Sequence, residues 1–510
     1  MGAVSAPKNR ICPCPSRVKI VYPRNFFAFP GKCGKKPDKK QNFIYKESRM
    51  NQNHAFAYAN LALPEDIRQC KELGDFDRAL ALIHQKLQES LLAEPMRQCL
   101  LAQEEIIRRL PDQFPFTKEE GLARVREAIP DFTMAELEAY RTSGRITWRY
   151  IKGEPRLIRS FFGTLRKTVP AFAARLPQDE DPSQLSHELK GRSRLDLAAQ
   201  RMKDEGSMTC HVKMRHTIRV RDEVFVPGET YRVWLPLPAE CIQQSNIQVL
   251  GTSSQPQSID RADAPQRTVY WEETMRENHD FWVEYSYDHT APYCDPLTVK
   301  ADPVQPDFDT GEQAPHIVFT PYIRALCAEL SQGTDDPIEK ARRFWEYVTT
   351  RVTYSFAPDY FTLDNIAETC LNTRRGDCGI QALAFITLCR CAGIPARWQS
   401  GVCTDPDDGV GAHDWAMFYV APHGWMFADP SFGGGAYRKG NALRHKHYFG
   451  NLDIYRTVFN NAFQADFTPS SRFWRDDPYD NQMGEVECSV RGLRAREVSR
   501  SVELLEFRED

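Results

Sequence analysis

The sequence predicts an α+β chain, because two hydrophobic periods follow one another along it. From about residue 50 to residue 200 apolar side chains recur at helical spacing, whereas from residue 207 to residue 300 they alternate with polar ones. Beyond residue 300 a predicted helix is followed by a predicted hairpin of strands. We therefore expect a helical N-terminal domain at 50–200, a small antiparallel, sandwich-like β domain at 207–300, and a core with a C-terminal extension at 301–510.

Length and composition indicate a globular protein of two to four domains. Of the 510 residues 41% are hydrophobic and 26% charged, and the net charge is −3. This near-neutral charge argues against a nucleic acid as partner, and no apolar run reaches the roughly 20 residues of a membrane-spanning helix. The 15 cysteines are scattered and no export signal is evident, so we expect reduced thiols, a cytoplasmic location and no membrane partner.

The first 49 residues differ from the rest of the chain. They are rich in lysine, arginine and proline, and their acidic residues are Asp38 and Glu47 alone. Pro23 and Arg24 interrupt the apolar stretch that a signal peptide would need. Two interpretations stay open: a disordered basic arm, or a start assigned too early, with Met50 as the first residue. We favour the second.

The helical region carries clear start signals. Thr117 and Thr133 are each followed three residues later by glutamate, the pattern of a capping box. Residues 148–165 have helical spacing with aromatic anchors and predict one further helix whose aromatic stripe is a docking face. Residues 177–182 are acidic and contain two prolines, which predicts a polar linker.

The β domain opens with a clear alternation of apolar and polar residues at 208–220. Shorter runs at 231–235, 247–250, 268–271 and 281–287 predict further strands. At the far end of the chain, the tail from residue 480 predicts a strand that closes the core, followed by a charged end.

The strongest chemical signal is a cysteine at the start of a predicted helix. Cys378 follows Gly376 and Asp377 and precedes a run of helix formers with one apolar face. The unpaired N–H groups and the dipole of a first helical turn favour an anion, so we expect a lowered pKa for the Cys378 thiol. The same N–H groups can stabilise an oxyanion, and Gly379 is expected to leave the approach to the sulfur open.

A histidine and an aspartate follow on a predicted hairpin. Its strands, 413–420 and 425–429, turn near Pro422. With that centre Asp429 lies two positions from the residue opposite His413 and on the same face, so the two side chains can meet at hydrogen-bond distance. A shift of one residue in register would separate them. Cysteine, histidine and carboxylate, in this order, are the groups that thiol acyl transfer needs.

These motifs resemble the core of the transglutaminase-like superfamily of papain-type thiol enzymes, and in particular its multidomain bacterial type. The resemblance implies that Cys378 is the nucleophile, His413 the general base and acid, and Asp429 the carboxylate that orients the histidine. It extends from about Asp336 to Tyr455. The matching motifs are Arg375–Cys378, Leu388–Arg397, Gly401, His413–Trp415, Gly424–Trp425 and Asp429–Ser431.

Four aromatic residues near these motifs are candidate substrate contacts. Many members of the family supply an extra oxyanion donor, Gln or Trp, upstream of the cysteine, and here the upstream candidates are Tyr354 and Tyr360. Trp415 and Trp425 are candidate walls of a tunnel for the acyl group. For each of the four, plain packing is the alternative interpretation.

The resemblance fixes a reaction class and leaves the acceptor open. Cys378 would form an acyl-enzyme with a glutamine amide or peptide bond of a peptide or protein, as in an amidase, cysteine protease or acyltransferase. Transfer to water, which we favour slightly, would be hydrolysis, and transfer to an amine would be transglutamination. The alternative is a catalytically silent protein that keeps the fold as an interaction scaffold.

No cofactor and no metal site are expected. Calcium-dependent members of the family use acidic loops, and Asp405, Asp407 and Asp408 form an acidic cluster here. Their spacing does not match an EF-hand loop, so a polar turn is the better interpretation.

Overall fold

The computed structural model describes residues 19–21, 56–177, 193–406 and 409–509. Residues 1–49, for which two interpretations are open, lie outside this part of the chain apart from a short strand, β1 (Lys19–Val21). The predicted linker at 177–182 also lies outside it except for its first residue. In the described residues no helix combines the length and apolarity needed to cross a bilayer.

The region that follows is mainly helical, in agreement with the sequence. Both predicted capping boxes form: the threonine oxygen accepts from the N–H of the glutamate three residues later, and the glutamate carboxylate accepts from the threonine N–H. The helices of this region are α1 (Glu65–Leu73), α2 (Phe76–Leu87), α3 (Glu94–Gln113), α4 (Lys118–Arg126), α5 (Met134–Thr142), α6 (Phe161–Thr168), α7 (Pro170–Ala173) and α8 (Arg194–Glu205).

The single helix predicted at 148–165 is wrong in its first half. A hairpin forms there, with strands β2 (Trp148–Ile151) and β3 (Glu154–Leu157), and the helix starts only at Phe161. The two turn residues, Lys152 and Gly153, have φ angles of 53° and 77°. Positive φ at both positions is the backbone of a tight two-residue hairpin turn, so turn chemistry overrides the helical spacing of the aromatic residues.

The predicted β domain forms two antiparallel sheets. Its first strand alternates buried and half-buried residues along its length, so one face lies in the apolar core between the sheets. The strands are β4 (Ser207–Val220), β5 (Glu229–Pro236), β6 (Gln244–Thr252), β7 (Ser258–Ile259), β8 (Thr268–Met275) and β9 (Phe281–Pro292).

The next part of the chain is the predicted mixed core. Val420 lies opposite Gly424 and Ala416 opposite Ala428, so the hairpin turns at Pro422, as predicted. The elements are α9 (Pro321–Leu330), α10 (Pro337–Arg351), β10 (Thr353–Tyr354), α11 (Ile366–Thr373), β11 (Arg375–Gly376), α12 (Cys378–Cys391), β12 (Ala396–Asp405), β13 (Gly409–Val420), β14 (Gly424–Ala428), α13 (Pro430–Arg438), α14 (Ala442–His447), β15 (Phe449–Gly450) and β16 (Arg456–Asn460).

One antiparallel sheet organises this core, with strand order β15-β14-β13-β12-β16. Helix α12 packs on it, with the ring of Phe385 5.7 Å from that of Phe418 on β13. The apolar core around α12 continues into α3 and the β2–β3 hairpin, through Leu110 and Leu157. The helix that carries Cys378 itself packs between the sheet and the core helices α9, α10, α11 and α13.

The C-terminal tail does not close this core, contrary to the sequence-based expectation. Its strands β17 (Glu485–Glu487) and β18 (Val498–Glu509) pair with β5 and β4 of the β domain. The two sheets of the sandwich then have the orders β1-β18-β4-β9-β6 and β17-β5-β8-β7. The 14-residue strand β4 would otherwise present a long unpaired edge, which pairing with β18 covers.

Candidate active site

Cys378 is the first residue of helix α12, as the sequence predicts. Asp377 caps the helix, since its Oδ1 accepts from the N–H of Ile380 at 3.2 Å. Gly379 does not leave an open approach, because a Cβ there would lie 2.7 Å from Asp414 Oδ2 and 2.7 Å from Trp398 Cη2. The glycine is instead the residue that lets the helix start pack closely against its neighbours, and Cys378 itself remains partly exposed.

The predicted pairing of histidine and aspartate is present. Nε2 of His413 lies 2.7 Å from Oδ2 of Asp429, and the two side chains are 6% and 0% exposed. Asp429 also caps α13, where its Oδ1 accepts from the N–H of Phe432 at 2.9 Å. Since the carboxylate occupies Nε2, the other ring nitrogen, Nδ1, is the one left to exchange a proton.

A buried arginine, which the sequence did not predict as part of the site, contacts the aspartate of this pair. Nη1 of Arg456 lies 2.7 Å from Asp429 Oδ2 and Nη2 lies 2.8 Å from Asp453 Oδ2. The guanidinium is also 4.8 Å from the ring centroid of Phe432. Burial raises the pKa of Asp429, but the charges of His413 and Arg456 outweigh it and bring the pKa to about 2. The carboxylate therefore stays ionised at any physiological pH.

Cys378 does not meet His413 in this arrangement. Its Sγ donates to Oδ2 of Asp414 at 3.3 Å, and within the described residues no hydrogen bond joins the thiol to the imidazole. The reason is the two-residue period of β13. Asp414 and Phe418 share the face that packs on α12, while His413 and Trp415 share the other face, where Trp415 lies in a separate apolar cluster.

Gln482, another residue that sequence reasoning missed, holds this end of β13 in place. Its Nε2 donates to Oδ1 of Asp414 at 2.7 Å and to the carbonyl oxygen of His413 at 3.1 Å. Neither Asp414 nor Gln482 lies in a motif that points to thiol chemistry. Gln482 is 104 residues beyond Cys378 in the sequence, so only the fold brings it to the site.

The protonation of the thiol is the reverse of what the sequence predicts. Burial first, and then the negative charges of Asp414 and Asp377, raise the pKa of Cys378 well above its usual range. Burial and the nearby carboxylates of Asp480 and Asp377 likewise raise the pKa of Asp414, whereas the hydrogen bond from Cys378 acts in the other direction and favours the carboxylate. The helix terminus favours a thiolate, but burial and the charges of Asp414 and Asp377 oppose it.

A cavity of about 270 Å³ opens beside Cys378. It is rich in carboxyl groups, because Asp359, Asp476 and Asp477 line it together with Asp377 and Asp414. Its lining also includes Tyr354, Ala357, Pro358, Tyr360, Phe361, Ala412 and Gln482.

Both predicted tyrosines thus lie in the lining of this cavity. The hydroxyl of Tyr360 donates to Asp377 Oδ1 at 2.5 Å, so it is already engaged. Above Tyr354 lies Nζ of Lys167, 3.6 Å from the ring centroid. Lys167 belongs to α6 of the N-terminal region, so this region places a cation against one of the residues that line the cavity.

The two predicted tryptophans lie outside this lining. Trp415 is fully buried, and its Nε1–H donates to Gln399 Oε1 at 2.8 Å. Trp425 is at the turn end of the hairpin, where it packs against Phe308 and lies 4.7 Å from the guanidinium of Arg397. Trp415 lies outside the lining because the strand period places it on the face of β13 away from α12. Trp425 lies outside it because it is at the turn end of β14.

The acidic cluster at 405–408 is only partly described, because Asp407 and Asp408 lie outside the described residues. Asp405 ends β12, with Oδ1 3.7 Å from Nε of Arg194. Elsewhere in the described part of the chain, no three His, Cys, Asp or Glu side chains are grouped so that they could hold a metal ion.

Part of this chain is similar to a known protein of Bacillus subtilis. An uncharacterized protein of Bacillus subtilis, YebA, is 25% identical over 129 residues, which is 22% of this chain and 17% of that protein. This chain thus spans about a sixth of that relative.

Two solved structures resemble larger parts of the chain. A candidate cysteine protease from Cytophaga hutchinsonii is 16% identical, with a TM-score of 0.34, over 58% of this chain and 98% of its own. The periplasmic domain of TgpA from Pseudomonas aeruginosa is 15% identical, with a TM-score of 0.26, over 50% of this chain and 96% of its own.

The family model of the transglutaminase-like superfamily matches residues 324–430. The match begins in α9 and ends just after Asp429, so it includes Cys378, His413 and Asp429. Residues 324–430 are therefore a transglutaminase-like core.

Proposed function

We propose that this protein is a cysteine-dependent enzyme that forms an acyl-enzyme at Cys378 with an amide of a peptide or protein. The observation that carries the proposal is the buried pair of His413 and Asp429, 2.7 Å apart, in the same core as a cysteine at a helix start. A buried carboxylate bonded to an imidazole fixes the tautomer and stabilises the imidazolium that forms when a thiol loses its proton.

The chemistry would run in two steps. Cys378 would transfer its proton to Nδ1 of His413 and attack the amide carbonyl, with the first-turn N–H groups of α12 near the developing oxyanion. The amine or ammonia would leave with the proton from His413. Water or an amine would then attack the thioester, and His413 would take the proton of that acceptor and return one to Sγ.

Two adjoining cavities support a polypeptide as the substrate. The cavity beside Cys378 shares Ala357 and Pro358 with a larger one of about 450 Å³. The larger cavity lies between Trp148 of β2 and Arg375 of β11. Together they give room for residues on one side of the reacting amide. The cysteines of the described residues are free thiols, which fits the cytoplasmic location that we also propose.

A catalytically silent scaffold is the second candidate, and one contact favours it. In this structure Sγ of Cys378 is bonded to Asp414, not to His413. If that contact never opened, the core would present a transglutaminase-like fold without chemistry.

Mass spectrometry on glutamine-containing peptides distinguishes these outcomes. The protein is incubated with a peptide library with and without a primary amine. The variant Cys378→Ala tests the nucleophile, and Cys391→Ala, at the other end of α12, is the matched control. Cleavage or conversion of glutamine to glutamate that is lost only in Cys378→Ala supports a hydrolase, and an amine adduct supports a transglutaminase. No product in any condition would overturn the enzyme proposal.

A further inference from the structure

The thiol of Cys378 is bonded to a carboxyl group and not to the imidazole that the proposed reaction uses. The thiol donates to Oδ2 of Asp414 at 3.3 Å, whereas the reaction needs it at the imidazole. Asp414 is not free to turn away, because Gln482 donates to its Oδ1 at 2.7 Å. The carboxyl group is therefore clamped between the nucleophile and a residue from the C-terminal part of the chain.

The surroundings of this contact are acidic on several sides. Asp377 faces it from the start of α12, and Asp477 and Asp480 face it from the segment that precedes β17. Lys167 of α6 is a cation that interacts with Cys378 and Asp377. Tyr354 and Tyr360 complete the surroundings from the chain before α11. Carboxyl groups thus outnumber cations around the thiol.

A hydrogen bond from a thiol to a carboxylate stabilises the protonated thiol, and the same carboxylate repels a thiolate. Building on the proposed function, we infer that Asp414 restrains the nucleophile: it holds Cys378 as a thiol turned away from His413 until a substrate in the cavity displaces the contact. For the reaction, both this contact and the placement of His413 on the other face of β13 have to change, and the S–H proton then passes to Nδ1, since Asp429 occupies Nε2. No oxidant or other reactant is needed.

The test is the rate at which iodoacetamide alkylates Cys378 in the full chain at pH 7, read by peptide mass mapping. In Asp414→Asn the amide keeps the size of the carboxyl group, can still accept from Gln482 and can donate to a thiolate. We expect alkylation of Cys378 to be roughly tenfold faster or more than in the wild-type protein. We also expect wild-type Cys378 to react more slowly than free glutathione.

Two controls separate release of the thiol from general loosening. Cys389 lies fully buried on the same helix, and it must stay unmodified in every variant. Asp260→Asn removes a carboxylate in the β domain, where Asp260 accepts from the Thr268 N–H at 2.9 Å, and should leave the rate at Cys378 unchanged. If Asp414→Asn does not fold, Asp414→Ala and the comparison of the wild type with glutathione still decide the question.

The outcomes separate this inference from the proposed function. An unchanged rate in Asp414→Asn overturns the restraint, and a slower rate would make Asp414 a base for the thiol. If peptide amides are processed in either of these cases, the proposed function stands without the restraint. If Cys378 stays inert in the folded wild-type protein and in both Asp414 variants, the restraint and the enzyme both fail.

Discussion

Nη1 of Arg456 lies 2.7 Å from Oδ2 of Asp429, and neither side chain is exposed to solvent. The same guanidinium reaches Asp453 on its other side. One buried cation therefore balances two buried carboxylates, and one of these is the partner of His413. This arrangement fixes the negative charge that a histidine acting as base would need, and it makes the site dependent on a residue 27 positions beyond Asp429.

Replacing Arg456 by methionine should strongly destabilise the fold. Methionine fills similar volume but leaves Asp429 and Asp453 buried without a counter-charge, and breaking a buried ion pair costs about 3–5 kcal/mol. Denaturant unfolding at pH 7 measures this. Arg261→Met is the control, because Arg261 is 85% exposed in its pair with Asp263 and should change stability by less than about 1 kcal/mol. Equal, small losses for both variants would contradict the role of Arg456.

Asp359 should make stability depend on pH in the opposite way to an ordinary surface aspartate. Burial first, and then the charge of Asp476, raise the pKa of Asp359 to about 7. A carboxyl group with a folded-state pKa above its unfolded value favours folding fully below the unfolded value, and this contribution is lost as pH rises through the folded pKa.

We therefore expect Asp359→Asn to become more stable relative to the wild type between pH 5 and pH 8, by on the order of 2 kcal/mol. The amide can still accept from Nε2 of Gln113, which lies 2.9 Å from Oδ2 in the wild type. Urea unfolding at the two pH values gives the difference. A constant difference, or one that falls toward pH 8, would mean that Asp359 titrates in its usual range.

Two helical glycines offer a matched test of packing at the nucleophile. A Cβ at Gly379 would come within 2.7 Å of both Asp414 Oδ2 and Trp398 Cη2, whereas a Cβ at Gly435 of α13 would meet nothing within 4 Å. Gly379→Ala should destabilise the protein by about 1–3 kcal/mol through overpacking. Gly435→Ala should stabilise it by up to about 1 kcal/mol, since alanine favours helix. Thermal unfolding of the two variants is the measurement, and a neutral Gly379→Ala would show that the start of α12 can move.

The sequence was informative wherever the signal was local. The helix after Asp377, the hairpin centred on Pro422 and the contact of His413 with Asp429 follow from capping, turn position and strand period. The alternating strand predicted at 208–220 and the two threonine capping boxes are local signals of the same kind, and they too are present.

Other predictions are wrong, or were not possible, because they depend on residues far away in the chain or on the charges that surround a residue in the fold. The helix dipole argument for Cys378 is correct in itself, but it cannot include Asp414, which only the register of β13 brings to the thiol. Gln482 and Arg456 arrive from other segments. The tail pairs with β4 and β5 because of open sheet edges, which cannot be seen in the tail itself. The hairpin at Lys152 differs from the prediction because the turn at Lys152 and Gly153 overrides the helical spacing of the aromatic residues.

Lys167 should help Cys378 to ionise, because its ammonium group interacts with the thiol and lies 3.6 Å from the ring centroid of Tyr354, which lines the cavity. Its side chain stays exposed, so solvent screens its charge and its effect on the thiolate should be about 0.2–1 kcal/mol. We expect Lys167→Met to slow alkylation of Cys378 by up to roughly fivefold, the rate equivalent of that energy. Lys167→Arg keeps the charge and should stay near the wild-type rate. Measuring both variants in the Asp414→Asn background makes the comparison easier, because the thiol is expected to react faster there. A faster reaction in Lys167→Met would instead mean that the lysine blocks the cavity.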